Sequence, residues 1–213
     1  MNKQIEVFLE DQLPSKYQAH IPAALTTAYA TAAHIAKAEP IFSMESARAN
    51  HGRLVSWATD FAVLKLIESG VWPYDYEWIS YNKPTGRYLS VKLPLSTLSI
   101  SQVNNYKIPP RKVGFRGNAA LSNQSYIFQD MEEERKRIVD LPSFILCHGH
   151  QKLNFAHIGM SDPEQNYWMY RTENLLTSKI HTLEAELPPV EVSEESVLTL
   201  KEDIMKWRRD QNE

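Results

Sequence analysis

An α+β domain built on a mixed sheet of about five strands flanked by helices is what this sequence predicts, and three observations carry the prediction. Two stretches, residues 75–93 and 144–160, each read as a pair of strands joined by a turn. A long helical stretch precedes the first pair. Between the pairs the chain becomes irregular and basic, then charged and helical.

The bounds are those of an ordinary globular chain: 213 residues, 43% apolar and 23% charged, with a net charge of -3. Such a balance gives no global field toward nucleic acid or an anionic membrane, so binding of that kind must come from a local patch. A single cysteine, Cys147, excludes an internal disulfide and a cysteine-rich zinc site. No signal-peptide core or membrane-length apolar run is present, and a reducing cytoplasm is the expected setting. We expect a core domain over 40–187, a helical segment over 1–39 before it, and a linker with an amphipathic helix over 188–213 after it.

In chain order, Ile5, Phe8 and Leu9 form an apolar stripe on a short helix ended by Pro14. Residues 21–38 are alanine-rich and helical, Pro22 being tolerated in the first turn; a structural helix laid against the domain or a partner is expected. Ser43 is the expected N-cap of one long helix with Glu45 in its first turn and Gly70 just past its end. Leu54, Trp57, Phe61 and Leu64 recur at helical spacing and should pack on the sheet.

The first hairpin follows. Tyr76, Trp78 and Ser80 share one side of its first strand and Glu77 and Ile79 the other; on the second, Leu89, Val91 and Leu93 alternate with Ser90 and Lys92, and residues 82–86 supply turn chemistry. Residues 96–103 lean to strand. In 104–123, Lys107, Arg111, Lys112 and Arg116 lie close together with Tyr106 and Phe115 interleaved, a pattern suited to phosphate contact by the bases and base stacking by the aromatics; a merely solvated basic loop is the alternative. Residues 130–139 read as a solvated charged helix with i,i+4 pairs. The second hairpin spans 144–148 and 154–160, Asp162 and Pro163 mark a turn, 167–170 suit a further strand, and 174–186 suit a helix. In the tail, Val197, Leu200, Ile204 and Trp207 fall on one helical face, which either docks a partner or folds back.

A long helix, a strand, a second strand with a polar residue two before a lysine, an intervening segment and two further strands: in this order residues 43–160, about half of the chain, resemble the core of the PD-(D/E)xK, or restriction-endonuclease-like, superfamily. The resemblance implies that an aspartate near the first strand and a glutamate two before the lysine hold Mg²⁺, while the lysine helps to position the attacking water. Asp75 stands at the aspartate position, with Tyr74 between it and Pro73, and Lys92 matches the lysine. Ser90 stands where the second carboxylate belongs. A hydroxyl lacks the charge that offsets dehydration of Mg²⁺, so catalysis would need a migrated acid, with Glu77, Glu45 and Asp60 as candidates.

His148, His150 and His157 invite a metal reading, but no cysteine or carboxylate sits at supporting spacing, and none is assigned. Cys147 beside His148 or His157 resembles a nucleophile and base; adjacent strand residues point to opposite faces, so Cys147 and His148 should not meet. Three functions follow, in order: a nucleic-acid-binding, non-catalytic subunit contacting its ligand through Lys92, Tyr106, Lys107, Arg111, Lys112, Phe115 and Arg116; an adaptor docking through its terminal helices; and a Mg²⁺-dependent nuclease using Asp75 and Lys92. No cofactor is expected unless the chain is catalytic.

Overall fold

The computed structural model describes residues 2–48, 50–81, 86–112, 120, 121, 123, 141–178 and 202. Their core is a mixed sheet in strand order β1-β2-β3-β4-β5-β6, with β1 Asp75–Ser80, β2 Arg87–Lys92, β3 Thr97–Val103, β4 Ser143–Gly149, β5 Ala156–Ser161 and β6 Trp168–Arg171. Every neighbouring pair is antiparallel except β3 and β4, which run parallel. Both expected hairpins and the short last strand are therefore present, in a sheet of six strands rather than five.

Alternation sorts the sheet into two faces. Leu89, Val91, Leu98, Phe144, Leu146, Ala156, Ile158 and Met160 are in register across the strands and form the core with helices on their side. Two of those helices come from the amino-terminal segment: α1, Asn2–Gln12, buries Ile5 and Leu9, and α3, Ile21–Ala38, buries Ile21 and Leu25. Between them lies the single turn α2, Ser15–Gln18. Polar staples fix this packing. Gln12, fully buried, accepts a bond from Ser96 Oγ (3.2 Å) through its side chain and one from the Tyr74 hydroxyl (3.0 Å) through its carbonyl. Trp72 Nε1 donates to the Tyr17 carbonyl (3.0 Å).

The single helix expected from Ser43 to Gly70 is broken. Pro40–Ser43 is a 3₁₀ turn, α4 is Glu45–Arg48, and the long helix α5 is His51–Glu68. Ser43 Oγ bonds back to the Pro40 carbonyl (2.6 Å), so it closes the turn instead of capping a helix. The new start sits where α5 meets the sheet: Gln102 Nε2 donates to the Gly52 carbonyl (3.0 Å), and a Cβ on Gly52 would lie 3.2 Å from the His150 ring. Gly70 does follow the helix end, in the left-handed region at φ 75.

Trp57 corrects a second expectation, since it is 62% exposed while Leu54, Phe61 and Leu64 are buried. Small residues explain it. Ala28 and Ala32 of α3 pack against Leu54, Val55, Ala58 and Ala62 of α5, and this close helix pair takes a stripe of α5 rotated away from position 57. Residues 82–85, 130–139, 179–186 and the tail stripe Val197, Leu200, Ile204 and Trp207 lie outside the described residues, and 175–177 form a turn.

Candidate nucleic-acid interface

The second face of the sheet carries the charged residues of the first hairpin. Ladder register gives one row across all strands, Glu77, Ser90, Ser99, Ile145, Gly159 and Arg171, and beside it the pairs Asp75 with Lys92 and Lys92 with Thr97. Directly paired residues in a sheet share a face. Asp75, Glu77, Ser90 and Lys92 therefore stand together on the first hairpin.

Glu77 lies directly opposite Ser90. The strand next door thus places a carboxylate beside Ser90. Lys92 Nζ reaches Glu77 Oε2 at 3.0 Å, with the two side chains 53% and 55% exposed, so the ion pair is solvated and can exchange partners at little cost. Asp75 is exposed at the end of the same strand. Neither Glu45, in α4, nor Asp60, in α5, belongs to this group; Asp60 is desolvated by burial, which raises its carboxyl from 3.8 to about 7.

The loop after β3 runs along the far side of the same face. Tyr106 packs on Phe155 (ring centroids 5.6 Å apart), its carbonyl accepts from Trp168 Nε1 (3.2 Å), and the Arg171 guanidinium lies 4.8 Å above its ring. One face of the Tyr106 ring is thus already occupied. Lys107 and Arg111 are exposed, and Lys112 Nζ donates to Asn166 Oδ1 (2.8 Å) in the β5–β6 turn. That turn is at the end of the sheet where Lys92 also lies, roughly 15 Å across the strands at about 4.8 Å each. Lys92 and the loop share a face and an end but do not touch. Phe115 and Arg116 lie outside the described residues.

Arg171 and Trp168 were missed by the sequence reading. Their signal was present, since 167–170 read as a strand, but only the pairing of β6 with β5 brings them to Tyr106.

His148 and His157 are interior groups, whereas His150 is exposed. The Tyr29 hydroxyl lies 2.7 Å from His148 Nδ1 and also meets the Gly149 carbonyl. Both contacts are satisfied when Nδ1–H donates to the phenol oxygen and the phenol donates to the carbonyl, which leaves a neutral ring with Nε2 buried and without a partner. Burial first, and the nearby His150 charge after it, lower His148 to about 4 against a bond to Gly149 that raises it. His157 is lowered to about 4 by burial and by Arg171, and its ring stacks on Phe155 and meets Trp168 edge-on. His148 and Cys147 do face apart; Cys147 is the direct cross-strand partner of His157, and both are buried. Among the described residues no three His, Cys, Asp or Glu side chains gather to hold a metal.

No family model, curated protein or solved structure matches the chain.

Proposed function

We propose that the chain is a nucleic-acid-binding module on a nuclease-like scaffold, a non-catalytic subunit in which the exposed first-hairpin end of the second sheet face and the loop after β3 contact the ligand. The observation that carries the reading is the convergence of exposed Asp75, Glu77 and Lys92 around the buried Ser90 on one hairpin face, with exposed Lys107, Arg111 and Lys112 in the loop after β3 and Arg171 in the row of Glu77. The two ends of this face do different work. Glu77 and Asp75 offset the charge of Lys92, so long-range attraction of phosphates falls to the loop and Arg171.

Binding to labelled single- and double-stranded oligonucleotides should weaken as salt rises, and each phosphate contact removed should flatten the log-log slope by roughly 0.7 to 0.9. Lys107→Glu with Arg111→Glu should lower affinity for all sequences alike. Unchanged affinity in that double variant would remove the loop from the interface.

A Mg²⁺-dependent nuclease is the second reading, favoured by one observation, the placement of Glu77 across from Ser90. Asp75 and Glu77 offer the hard oxygen donors that Mg²⁺ takes, and the ion would supply the charge needed to bring a phosphate to a site that is otherwise net negative. The purified chain is expected to leave DNA and RNA intact in Mg²⁺ or Mn²⁺. Cleavage lost in Asp75→Ala, Glu77→Ala and Lys92→Ala would put the second reading first.

A further inference from the structure

The two edges of the sheet are protected differently. β6 is four residues long and joins β5 through an irregular register at Met160 and Ser161, the kind of bulge that blunts an edge. β1 has six residues in unbroken register with β2, contains neither proline nor lysine, and has no strand paired on its outer side among the described residues.

The Tyr81 N–H bond to the Gly86 carbonyl (2.9 Å) sets the phase of this strand. In an antiparallel ladder, residues alternate between exchanging both bonds with their partner and exchanging none. Residues 75, 77, 79 and 81 therefore turn their backbone groups toward β2. Tyr76, Trp78 and Ser80 turn theirs outward, and among the described residues those groups meet no partner.

We propose that β1 pairs antiparallel with β1 of a second copy of this chain about a twofold axis at Trp78. The pattern matches itself only there. Centred on Trp78, the outward groups of Trp78 meet their own copies, and those of Tyr76 meet Ser80, so every open N–H and C=O is used. A centre at Ile79 leaves the groups of Tyr76 unpaired. A centre at Glu77 leaves those of Ser80 unpaired and sets Glu77 against Glu77, and one at Tyr76 sets Asp75 against Glu77; like charges directly opposite are destabilising. With the axis at Trp78 no like charges meet.

The pairing changes the hairpin site. Asp75 comes to stand opposite Tyr81 of the second copy, with Cβ atoms about 5 Å apart, so a phenol that can donate to a carboxylate is added from across the axis. Both copies present their polar faces on the same side of one continuous sheet. The pairing stands on backbone geometry alone and does not depend on nucleic-acid binding.

Sedimentation of the full chain across the micromolar range should give twice the monomer mass. Ser80→Pro removes an outward N–H that β2 does not use, a substitution that edge strands tolerate; it should give a monomer with the unfolding temperature of the parent monomer and an unchanged circular dichroism spectrum. Register is read by cross-linking. Opposed Trp78→Cys residues would have Cα atoms about 5.5 Å apart and should form a disulfide on mild oxidation, whereas Tyr76→Cys residues, roughly 14 Å apart at ~3.4 Å per residue, should not. The native Cys147 is buried and does not compete. A chain that is monomeric at every concentration, a dimer that survives Ser80→Pro, or cross-linking from position 76 as readily as from 78 would each overturn the proposal.

Discussion

The two hairpins are the same device in opposite surroundings. In β1–β2 four of the six β1 residues are exposed, and the outer face carries Asp75, Glu77 and Lys92 in water. In β4–β5 every residue of both strands is buried, including His148, His157 and Cys147. A polar side chain therefore means different things in the two places. On the first hairpin it is a charge free to exchange partners; on the second it is a neutral group held uncharged by desolvation.

The sharpest break of this contrast is a truncation in the second hairpin. Ile158→Ala should cost about 2 to 5 kcal/mol in urea unfolding, because its site is fully buried beside Leu146 and cannot collapse. Gly149→Ala belongs with it, since a Cβ there would lie 2.0 Å from the Lys152 carbonyl, and the turn would have to rebuild.

Acid should act through the second hairpin as well. The unfolded histidines bind protons near 6.5, while folded His148 and His157 refuse them until about 4, so their contribution is complete above about 6.5 and is lost as the pH falls. Each gives a slope of about 1.4 kcal/mol per pH unit in that window. Asp60 opposes them, because its folded carboxyl keeps a proton up to about 7 that the unfolded one releases near 3.8, and stability falls as pH rises through that range. The net slope between about 4 and 6.5 should be close to that of one histidine. Asp60→Asn should steepen it, as urea midpoints at several pH values would show; a flat profile in that variant would mean that the histidines titrate normally.

Tyr29→Phe tests the polar link between α3 and β4. It strips partners from His148 Nδ1 and the Gly149 carbonyl and should cost about 1 to 3 kcal/mol. The smallest effect is expected on the first hairpin: Lys92→Met removes a solvated ion pair and should change stability by less than about 1 kcal/mol. A larger loss would show that the open face carries structural weight.

The strands were legible because alternation and turn residues are local signals. Residues 75–93 and 144–160 gave both hairpins, and parity alone put Ser90 and Lys92 on one face. What sequence could not give was register. Glu77 stands opposite Ser90 only in the register the first hairpin adopts, and Arg171 shares their row only through the pairing of β3 with β4 and of β5 with β6. The break before α5 was hidden because Ser43 has the chemistry of a cap, while its hydroxyl is used by a Pro40 turn. Trp57 looked like core because helical period ignores which neighbour the helix chooses, and the alanines of α3 chose another stripe.

The parallel seam between β3 and β4 has a consequence for how the chain reaches this fold. Strands β1 to β3 pair with their sequence neighbours, as do β4 to β6, so each half needs only short loops to close. The seam needs residues 104–142 to close first, and that entropy is spent before any β3–β4 bond repays it. Two quickly formed meanders waiting on one slow junction would expose the inner edges of β3 and β4 in the interval, so substitutions along that seam should alter the folding rate more than those in either hairpin.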